Sequence, residues 1–279
     1  MWGQEELAAL GPRESQTNAE YLLEEASGQK RWQLALRPEE RPRAALVETY
    51  RRWIANRRER IPSAYVTGKA FFRDECLEVG PACLVPRPET ELLVEAVIRQ
   101  AGFAQDAEFS FLDLGTGSGA VAISLLRHFK KARAVMADVS SDALAVAGRN
   151  AERYALTGRV ELRLSDFFEA FRGPVRPQWS LMVSNPPYLA QSDWDQVEPE
   201  LLYEPRQALD GGLDGLSAYR QIAGEAANFL HPGGGLFFEV GQGQAPAVQT
   251  LLGENGFKNI CILKDWSGID RIVSSTRCL

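Results

Sequence analysis

From residue 105 onwards, short apolar segments alternate with amphipathic segments of helical periodicity. The apolar segments are hydrophobic almost throughout, which is typical of strands covered on both faces in a parallel sheet. The predicted strands are FSFLDLG, RAVMADV, RVELRLSD, WSLMVSN, GLFFEVG, FKNICILKD and DRIVSSTR, and helices are predicted over 119–129, 141–154 and 244–254. The short WSG turn before the last strand predicts an antiparallel edge. In such a sheet, functional residues are expected in the loops that leave the carboxyl ends of the strands.

The first part of the chain has a different character. NAEYLLEEAS and RAALVETYRRWIANRRER carry apolar residues at helical spacing, and Gly28, Pro38, Pro42 and Pro62 divide the region into four or five short helices. FFRDECLEV, followed by Gly-Pro, predicts a β-hairpin, and a helix is predicted from Glu89 to Gln100. We therefore predict a helical domain over 1–70, a hairpin linker over 71–88 and an α/β domain over 89–279.

Composition narrows the functional classes. The 279 residues carry a formal net charge of −6, whereas proteins that bind a nucleic-acid backbone usually have a basic surplus. The apolar stretches are shorter than a membrane span needs, and the N-terminus lacks the apolar core of a signal peptide. Four scattered cysteines without a CxxC pair predict free thiols in the cytoplasm and no metal site. The arginine-rich YRRWIANRRER is either a solvated helix face or a docking patch for an acidic partner.

A glycine-rich loop follows the first strand of the α/β domain. Gly115, Gly117 and Gly119 in LDLGTGSGA allow a tight turn and close approach of a ligand. Asp138, at the end of the next strand, can accept hydrogen bonds from both hydroxyls of a ribose. The spacing also fits the relaxed dinucleotide fingerprint, so NAD stays open, but Asp113 inside the strand favours S-adenosylmethionine. In LRLSDFF, Asp166 could accept from an adenine amino group, and Phe167 or Phe168 could pack on its ring.

The segment LMVSNPPYLAQ ends the fourth strand at the same edge. Pro186 and Pro187 remove two N–H donors, so the Asn185 side-chain oxygen and the Pro186 carbonyl form a rim rich in acceptors. Such a rim suits a planar NH₂ group, with Tyr188 as a flat stacking face. The rim predicts methyl transfer to a planar nitrogen, and the substrate stays open among adenine, cytosine and a glutamine amide. His128, near a helix end, and His231, in an HPGG turn, do not fit acid–base roles.

Several longer segments resemble the peptide-chain release-factor N5-glutamine methyltransferases, the PrmC/HemK family. They are AYVTGKAFF, LVPRPETELLVE, LDLGTGSGAVAISL, SNPPYL, EPRQALDGGLDGLSAYR, HPGGGLFFEVGQGQ and GFKNICILKDWSGIDRIV. The resemblance runs from about residue 60 to the end and implies a Rossmann-like, seven-stranded S-adenosylmethionine-dependent methyltransferase domain behind a small helical domain and a hairpin. The implied donor is S-adenosylmethionine, with S-adenosylhomocysteine as product and no metal.

The resemblance also implies roles for individual residues. Those placed against the methionine portion and ribose are Gly115, Thr116, Gly117, Ser118 and Gly119. Asp138 would hold the ribose hydroxyls, and Phe167 would lie by the adenine. Asn185 would sit where cofactor and substrate meet, as the catalytic residue, and Asn185 to Tyr188 would hold the glutamine amide. The loop 189–216 would help to enclose the site.

The implied partner is a class I release factor, methylated on the glutamine of its Gly-Gly-Gln motif. The N-terminal helices are expected to bind the rest of that protein, and we expect a monomer that contacts neither membrane nor nucleic acid. The alternatives are a glutamine methyltransferase acting on a ribosomal protein, an adenine-N6 nucleic-acid methyltransferase, and a non-enzymatic S-adenosylmethionine-binding protein. The NPPY rim would have no role in a dinucleotide oxidoreductase, so this class is the least favoured.

Overall fold

The computed structural model describes residues 2–36 and 41–278, so the predicted breaker Pro38 lies outside the described residues. The chain divides into two units. One consists of Met1–Lys69 with Glu198–Tyr203, and the other of Ala70–Val197 with Glu204–Leu279. The short segment 198–203 therefore belongs to the first unit, although it lies far along the chain, and the sequence did not indicate this.

The first unit is helical. Its helices are α1 (Trp2–Glu6), α2 (Pro12–Ser27), α3 (Arg31–Ala35), α4 (Ala44–Arg58) and α5 (Ser63–Thr67), with a 3₁₀ turn at Ala8–Leu10. The prediction of four or five short helices is confirmed for the described residues. Gly28 ends α2 in the left-handed conformation, with φ 66°. The core is small, as expected for so few residues, and consists of Leu7, Ala19, Leu22 and Ile54.

The arginine cluster of α4 does not form one surface. Arg57 is only 4% exposed; it donates to Asn18 Oδ1 at 2.9 Å, to Glu14, and to Glu200 Oε1 at 2.7 Å. A buried guanidinium needs such partners because its desolvation is otherwise uncompensated. Arg60 also contacts Glu200, at 3.0 Å. Two of the five arginines of the predicted docking patch, Arg57 and Arg60, therefore have a structural role, and they attach the segment 198–203 to the helices.

The second unit is built on one seven-stranded sheet. A hairpin of β1 (Lys69–Phe72) and β2 (Glu75–Glu78) comes first along the chain. The sheet contains β3 (Ser110–Leu114), β4 (Arg133–Asp138), β5 (Val160–Leu164), β6 (Trp179–Ser184), β7 (Leu230–Glu239), β8 (Phe257–Lys264) and β9 (Asp270–Arg277). The strand order is β5-β4-β3-β6-β7-β9-β8. Strands β3 to β7 pair in parallel, whereas β9 is antiparallel to both β7 and β8, which confirms the predicted antiparallel edge.

Helices cover both faces of the sheet, as predicted. They are α6 (Glu91–Gln100), α7 (Ala120–His128), α8 (Ser141–Arg153), α9 (Ser217–Ala226) and α10 (Ala245–Glu254). Buried residues of α6, α7 and α8 belong to one apolar cluster, and those of α9 and α10 to a second. Helix α6 begins two residues later than predicted, because Pro88–Thr90 forms a 3₁₀ turn. Within the described residues, no helix is both long and apolar enough to cross a bilayer.

The strand order reverses between β3 and β6. From β3 the chain proceeds outwards to β4 and β5, and then returns to place β6 and β7 on the other side. The loops after β3 and β6 consequently diverge and leave a crevice at the carboxyl edge of the sheet. The Ser184 hydroxyl donates to the Leu114 carbonyl at 2.7 Å and ties these two strand ends together. The glycine loop and the NPPY rim therefore leave the sheet side by side.

Candidate active site

The glycine loop begins directly after β3 and is held by the neighbouring strand. The backbone N–H groups of Gly115 and Thr116 both donate to the Ala137 carbonyl, at 2.9 and 3.0 Å. The Thr116 hydroxyl donates to Asp113 Oδ2 at 2.7 Å. Burial raises the pKa of Asp113 to about 7, and the bond from Thr116 opposes that rise. Asp113 therefore acts beneath the loop as a support for Thr116.

The three glycines are required for two different reasons. Gly115, Gly117 and Gly119 have φ of 71°, 55° and 83°, in the left-handed region that side chains rarely adopt. A Cβ on Gly115 or Gly117 would meet no atom within 4 Å, so the space beside these residues is open. A Cβ on Gly119 would approach Met136 Cε to 2.5 Å. Gly119 thus permits the packing of α7 on β4, while the first two glycines border a cavity.

Asp138 closes the other side of the loop. Its Oδ2 accepts from the Gly117 N–H at 2.8 Å and its Oδ1 from the Ser140 N–H at 2.9 Å. Burial raises the pKa of Asp138, and the two backbone donors oppose the rise. A carboxylate accepts about four hydrogen bonds in all. Asp138 is therefore fixed in place and can still accept from a bound ligand.

The turn after β5 separates its two phenylalanines. Phe168 is fully buried and stacks on Phe229, with ring centroids 4.7 Å apart. Phe167 has φ 44°, which is unusual for a bulky residue, and its carbonyl accepts from the Ser165 hydroxyl at 2.8 Å. This conformation presents Phe167 to the cavity, next to the exposed Asp166. The sequence offered both Phe167 and Phe168 as the aromatic that packs on an adenine ring. Phe168 belongs to the core, so Phe167 is the candidate.

The NPPY rim follows β6. The Asn185 Nδ2 donates to the Thr90 hydroxyl at 3.1 Å. Pro186 is buried and Tyr188 is half-buried against the second apolar cluster. The Gln244 side chain donates to the Tyr188 carbonyl at 2.9 Å and to the Gly215 carbonyl at 3.2 Å. Burial raises the pKa of Tyr188 to about 12, so its phenol stays protonated near neutral pH.

The sequence alone did not single out Thr90, Glu204 and Gln244. Glu204 is 5% exposed, accepts from the Val85 N–H at 2.9 Å and pairs with Arg87. It thereby attaches the loop 204–212 to the segment that precedes α6. All three residues lie in segments that carried the family resemblance, but only the fold gives each of them a partner.

A cavity of about 300 Å³ lies at this edge of the sheet. Predicted site residues that line it are Gly115, Gly117, Asp138, Asp166, Phe167, Asn185 and Pro187. Other lining residues include Cys83, Pro205, Gln207 and Ala208. The remaining predicted residues do not line the cavity. Thr116, Ser118, Pro186 and Tyr188 are next to lining residues along the chain, and Gly119 is two residues from Gly117. Thr116 and Ser118 are 7% and 3% exposed, and the Thr116 side chain is turned towards Asp113 beneath the loop.

Neither histidine of the chain lies at this edge. Helix α7 starts at the glycine loop, and His128 is its last residue, so it lies near the amino ends of the strands. His231 lies in the first residues of β7, where the sequence predicted a turn. The register shift opposite Trp179 and Leu181 shows that the HPGG segment is an irregular strand. No imidazole is therefore available for acid–base chemistry in the cavity.

The fold and the cavity define the class of protein. A seven-stranded sheet with this order, a glycine loop after its first strand and a carboxylate at the end of its second are features of the S-adenosylmethionine-dependent methyltransferase fold. The sequence profile of the "Methyltransferase small domain" matches residues 88–213, and that of the "PrmC N-terminal domain" matches residues 1–68.

Relatives over nearly the whole chain identify the family. The "Release factor glutamine methyltransferase" of Gloeobacter violaceus is 40% identical over 91% of this chain and 88% of its own length. That of Geobacter sulfurreducens is 38% identical over 98% of this chain and 93% of its own. This chain belongs to the release factor glutamine methyltransferase family. A T. thermophilus 16S rRNA methyltransferase, solved with AdoMet and guanosine, shares the fold at 22% identity and TM-score 0.54, over 75% of this chain and 49% of that one.

Proposed function

We propose that this protein transfers the methyl group of S-adenosylmethionine to the side-chain amide nitrogen (N5) of the glutamine in the Gly-Gly-Gln motif of class I release factors, and so tunes translation termination. The observation that carries the proposal is the position of Asn185, which lines the same cavity as Gly117 and Asp138. An amide held by the rim would therefore lie next to a nucleoside held by the loop.

The residues around the cavity fit S-adenosylmethionine. Asp138 offers acceptors to a ribose, Phe167 offers an aromatic face, and the space beside Gly115 and Gly117 is open to a ligand backbone. Asp166 is exposed at the cavity and can accept from an adenine amino group. S-adenosylmethionine supplies a methyl group on a positively charged sulfur and leaves as S-adenosylhomocysteine. Among the described residues no group of three or more His, Cys, Asp or Glu could hold a metal ion.

The rim acts on the nucleophile. An amide nitrogen attacks poorly because its lone pair is delocalised into the carbonyl group. The Asn185 Oδ1 and the Pro186 carbonyl can accept both hydrogens of the amide NH₂, which raises electron density on nitrogen and fixes its direction of attack. Tyr188 remains neutral and can stack on the amide plane. The nitrogen gains the methyl group and loses one proton to solvent, so no strong base is required.

The transfer itself is tested with labelled donor. We expect the protein, incubated with methyl-labelled S-adenosylmethionine and a purified class I release factor, to label one glutamine, located by mass spectrometry in the Gly-Gly-Gln motif. Ribosomal proteins and DNA, assayed in parallel, are expected to stay unlabelled. A label on a ribosomal glutamine or on adenine, with none on the release factor, would refute the proposal.

We further propose that the N-terminal unit is a recognition domain for the body of the release factor, in a monomeric, cytoplasmic enzyme without direct nucleic-acid contacts. Arg57 is unsuitable because it is buried, but Arg51 and Arg52 are exposed on α4. Exposed charges contribute little to stability yet steer association. Arg51 and Arg52 are therefore candidates for contacting an acidic surface of the release factor.

Charge reversal at both positions tests the recognition surface. The double variant Arg51→Glu/Arg52→Glu is expected to raise KM for the release factor about threefold to tenfold, with kcat unchanged in steady-state assays. The matched control reverses two exposed lysines of the other unit, Lys131→Glu/Lys258→Glu. If the two double variants had equal KM values for the release factor, α4 would not be part of the recognition surface.

A further inference from the structure

The Asn185 side chain is hydrogen-bonded to one buried polar side chain, Thr90, which in turn neighbours a second, Glu239. Thr90 is 4% exposed and Glu239 is 1% exposed. The Thr90 hydroxyl accepts from Asn185 Nδ2 at 3.1 Å. The same hydroxyl lies close enough to the Glu239 carboxyl group to lower its pKa, and Glu239 Oε2 is buried without a hydrogen-bond partner among the described residues. Neither residue lines the cavity, and the chemistry described above uses neither. Buried polar groups of this kind are costly unless they are satisfied, so the arrangement calls for an explanation.

The hydroxyl of Thr90 has one hydrogen to donate and two lone pairs that accept. A carboxylate can only accept, so Glu239 in its ionised form can take the single hydrogen of Thr90. The oxygen of Thr90 is then left as an acceptor towards Asn185. Only the NH₂ group of the Asn185 amide can donate to this acceptor. The amide oxygen of Asn185 must therefore point away from Thr90.

We propose that Glu239 and Thr90 are positioning residues that fix the flip state of the Asn185 amide, so that its Oδ1 faces the substrate amide. The inference rests on the proposed function, because it assigns the direction of the acceptor that the reaction needs. Without the relay, Asn185 can rotate its amide by 180° and present NH₂ to the substrate NH₂. Two donors would then face each other, and the substrate nitrogen would lose its acceptor.

The surroundings of Glu239 make the relay sensitive to pH. Charged and titratable groups that act on Glu239 are Arg271, Glu89, Arg87, Tyr188 and Tyr219. Burial raises the pKa of Glu239 to about 7, and the bond from Thr90 and the nearby Arg271 oppose that rise. Above this pH the carboxylate fixes the hydroxyl of Thr90. Below it, a protonated Glu239 can donate to Thr90, which is then free to donate to Asn185 and favour the wrong flip state.

The primary test removes the hydroxyl and keeps the shape. Thr90→Val is expected to lower kcat about 10- to 100-fold, the range expected for a misaligned catalytic group, with the Kd for S-adenosylmethionine unchanged by calorimetry. Thr90→Ser, which restores a hydroxyl, is expected to recover most of the lost turnover. The matched control is Ser124→Ala, because Ser124 also donates a buried hydroxyl to a buried carboxylate, Glu75, at 2.7 Å. Its kcat is expected to match the wild type even where its melting temperature falls.

The second test uses the pH profile. The kcat of the wild type is expected to rise with pH through about 7, and Glu239→Gln is expected to lose this rise because a glutamine can either donate or accept. Unchanged kcat in folded Thr90→Val, or an equal loss in Ser124→Ala, would overturn the relay, as would an unaltered pH profile in Glu239→Gln. These results are distinct from a failure of the proposed function, in which the wild-type protein itself would label no release-factor glutamine.

Discussion

Replacing Asn185 by alanine is expected to lower kcat for release-factor methylation by about 10²- to 10³-fold, the loss seen when one preorganised polar group of an active site is removed. Asn185 supplies the acceptor that acts on the substrate amide, and the Pro186 carbonyl cannot hold both hydrogens alone. The Kd for S-adenosylmethionine is expected to change by less than about tenfold, since one neutral hydrogen bond is involved at most. Single-turnover kinetics and calorimetry on the same preparation separate the two quantities.

Asn255→Ala is the matched control for this experiment. Asn255 caps the end of α10, where its side chain donates to the Leu251 carbonyl at 2.8 Å, on the exposed surface. Its kcat is expected to equal that of the wild type. If Asn185→Ala turned over as fast as Asn255→Ala, the rim would not be catalytic, and a non-enzymatic S-adenosylmethionine-binding protein would become the better description.

Replacing Asp138 by alanine is expected to raise the Kd for S-adenosylmethionine about 10- to 100-fold, because hydrogen bonds to a charged group contribute about 1.5–3 kcal/mol. The variant loses the ribose acceptor and also releases the Gly117 and Ser140 N–H groups that the carboxylate holds at 2.8 and 2.9 Å. Isothermal titration with S-adenosylmethionine and S-adenosylhomocysteine measures the loss directly.

The affinity of the wild type for these nucleosides also has an expected pH dependence. Burial raises the pKa of Asp138 above its ordinary 3.8. The carboxylate is the form that accepts from the ribose, so affinity should fall as the pH drops through the raised pKa, and Asp138→Ala should lack this dependence. The matched control is Asp142→Ala, an exposed carboxylate in the first turn of α8. If Asp138→Ala and Asp142→Ala had equal Kd values for S-adenosylmethionine, Asp138 would not belong to the ribose site.

The sequence predicted the sheet and much of the site because both depend on local patterns. Nearly continuous apolar strands separated by amphipathic helices admit few arrangements other than a parallel sheet with two helical layers. In that sheet, residues at the carboxyl ends of β3, β4, β5 and β6 and in the loops that follow must meet at one edge. The prediction therefore brought together Gly115, Asp138, Phe167 and Asn185, all of which line one cavity.

Other features depend on contacts between residues that are distant along the chain, and no local pattern reveals them. The sequence places Arg57 in an arginine-rich helix that could be a solvated face or a docking patch. In the structure Arg57 is buried and pairs with Glu14 and Glu200. Glu200 lies 143 residues away, and no periodicity connects the two. The sequence likewise did not decide which of Phe167 and Phe168 lies at the cavity and which in the core, because this depends on the backbone conformation of a single turn.

By itself, the sequence determined the class of the fold, the edge of the sheet at which chemistry occurs and the residue types that meet there. Strand and helix periodicity and the order of the loops are properties of neighbouring residues, so they can be read along the chain. Only the tertiary structure decided the direction in which those residues point. The orientation of the Asn185 amide depends on Thr90, 95 residues before it, and on Glu239, 54 residues after it, and side chains so distant along the chain meet only once the sheet has assembled.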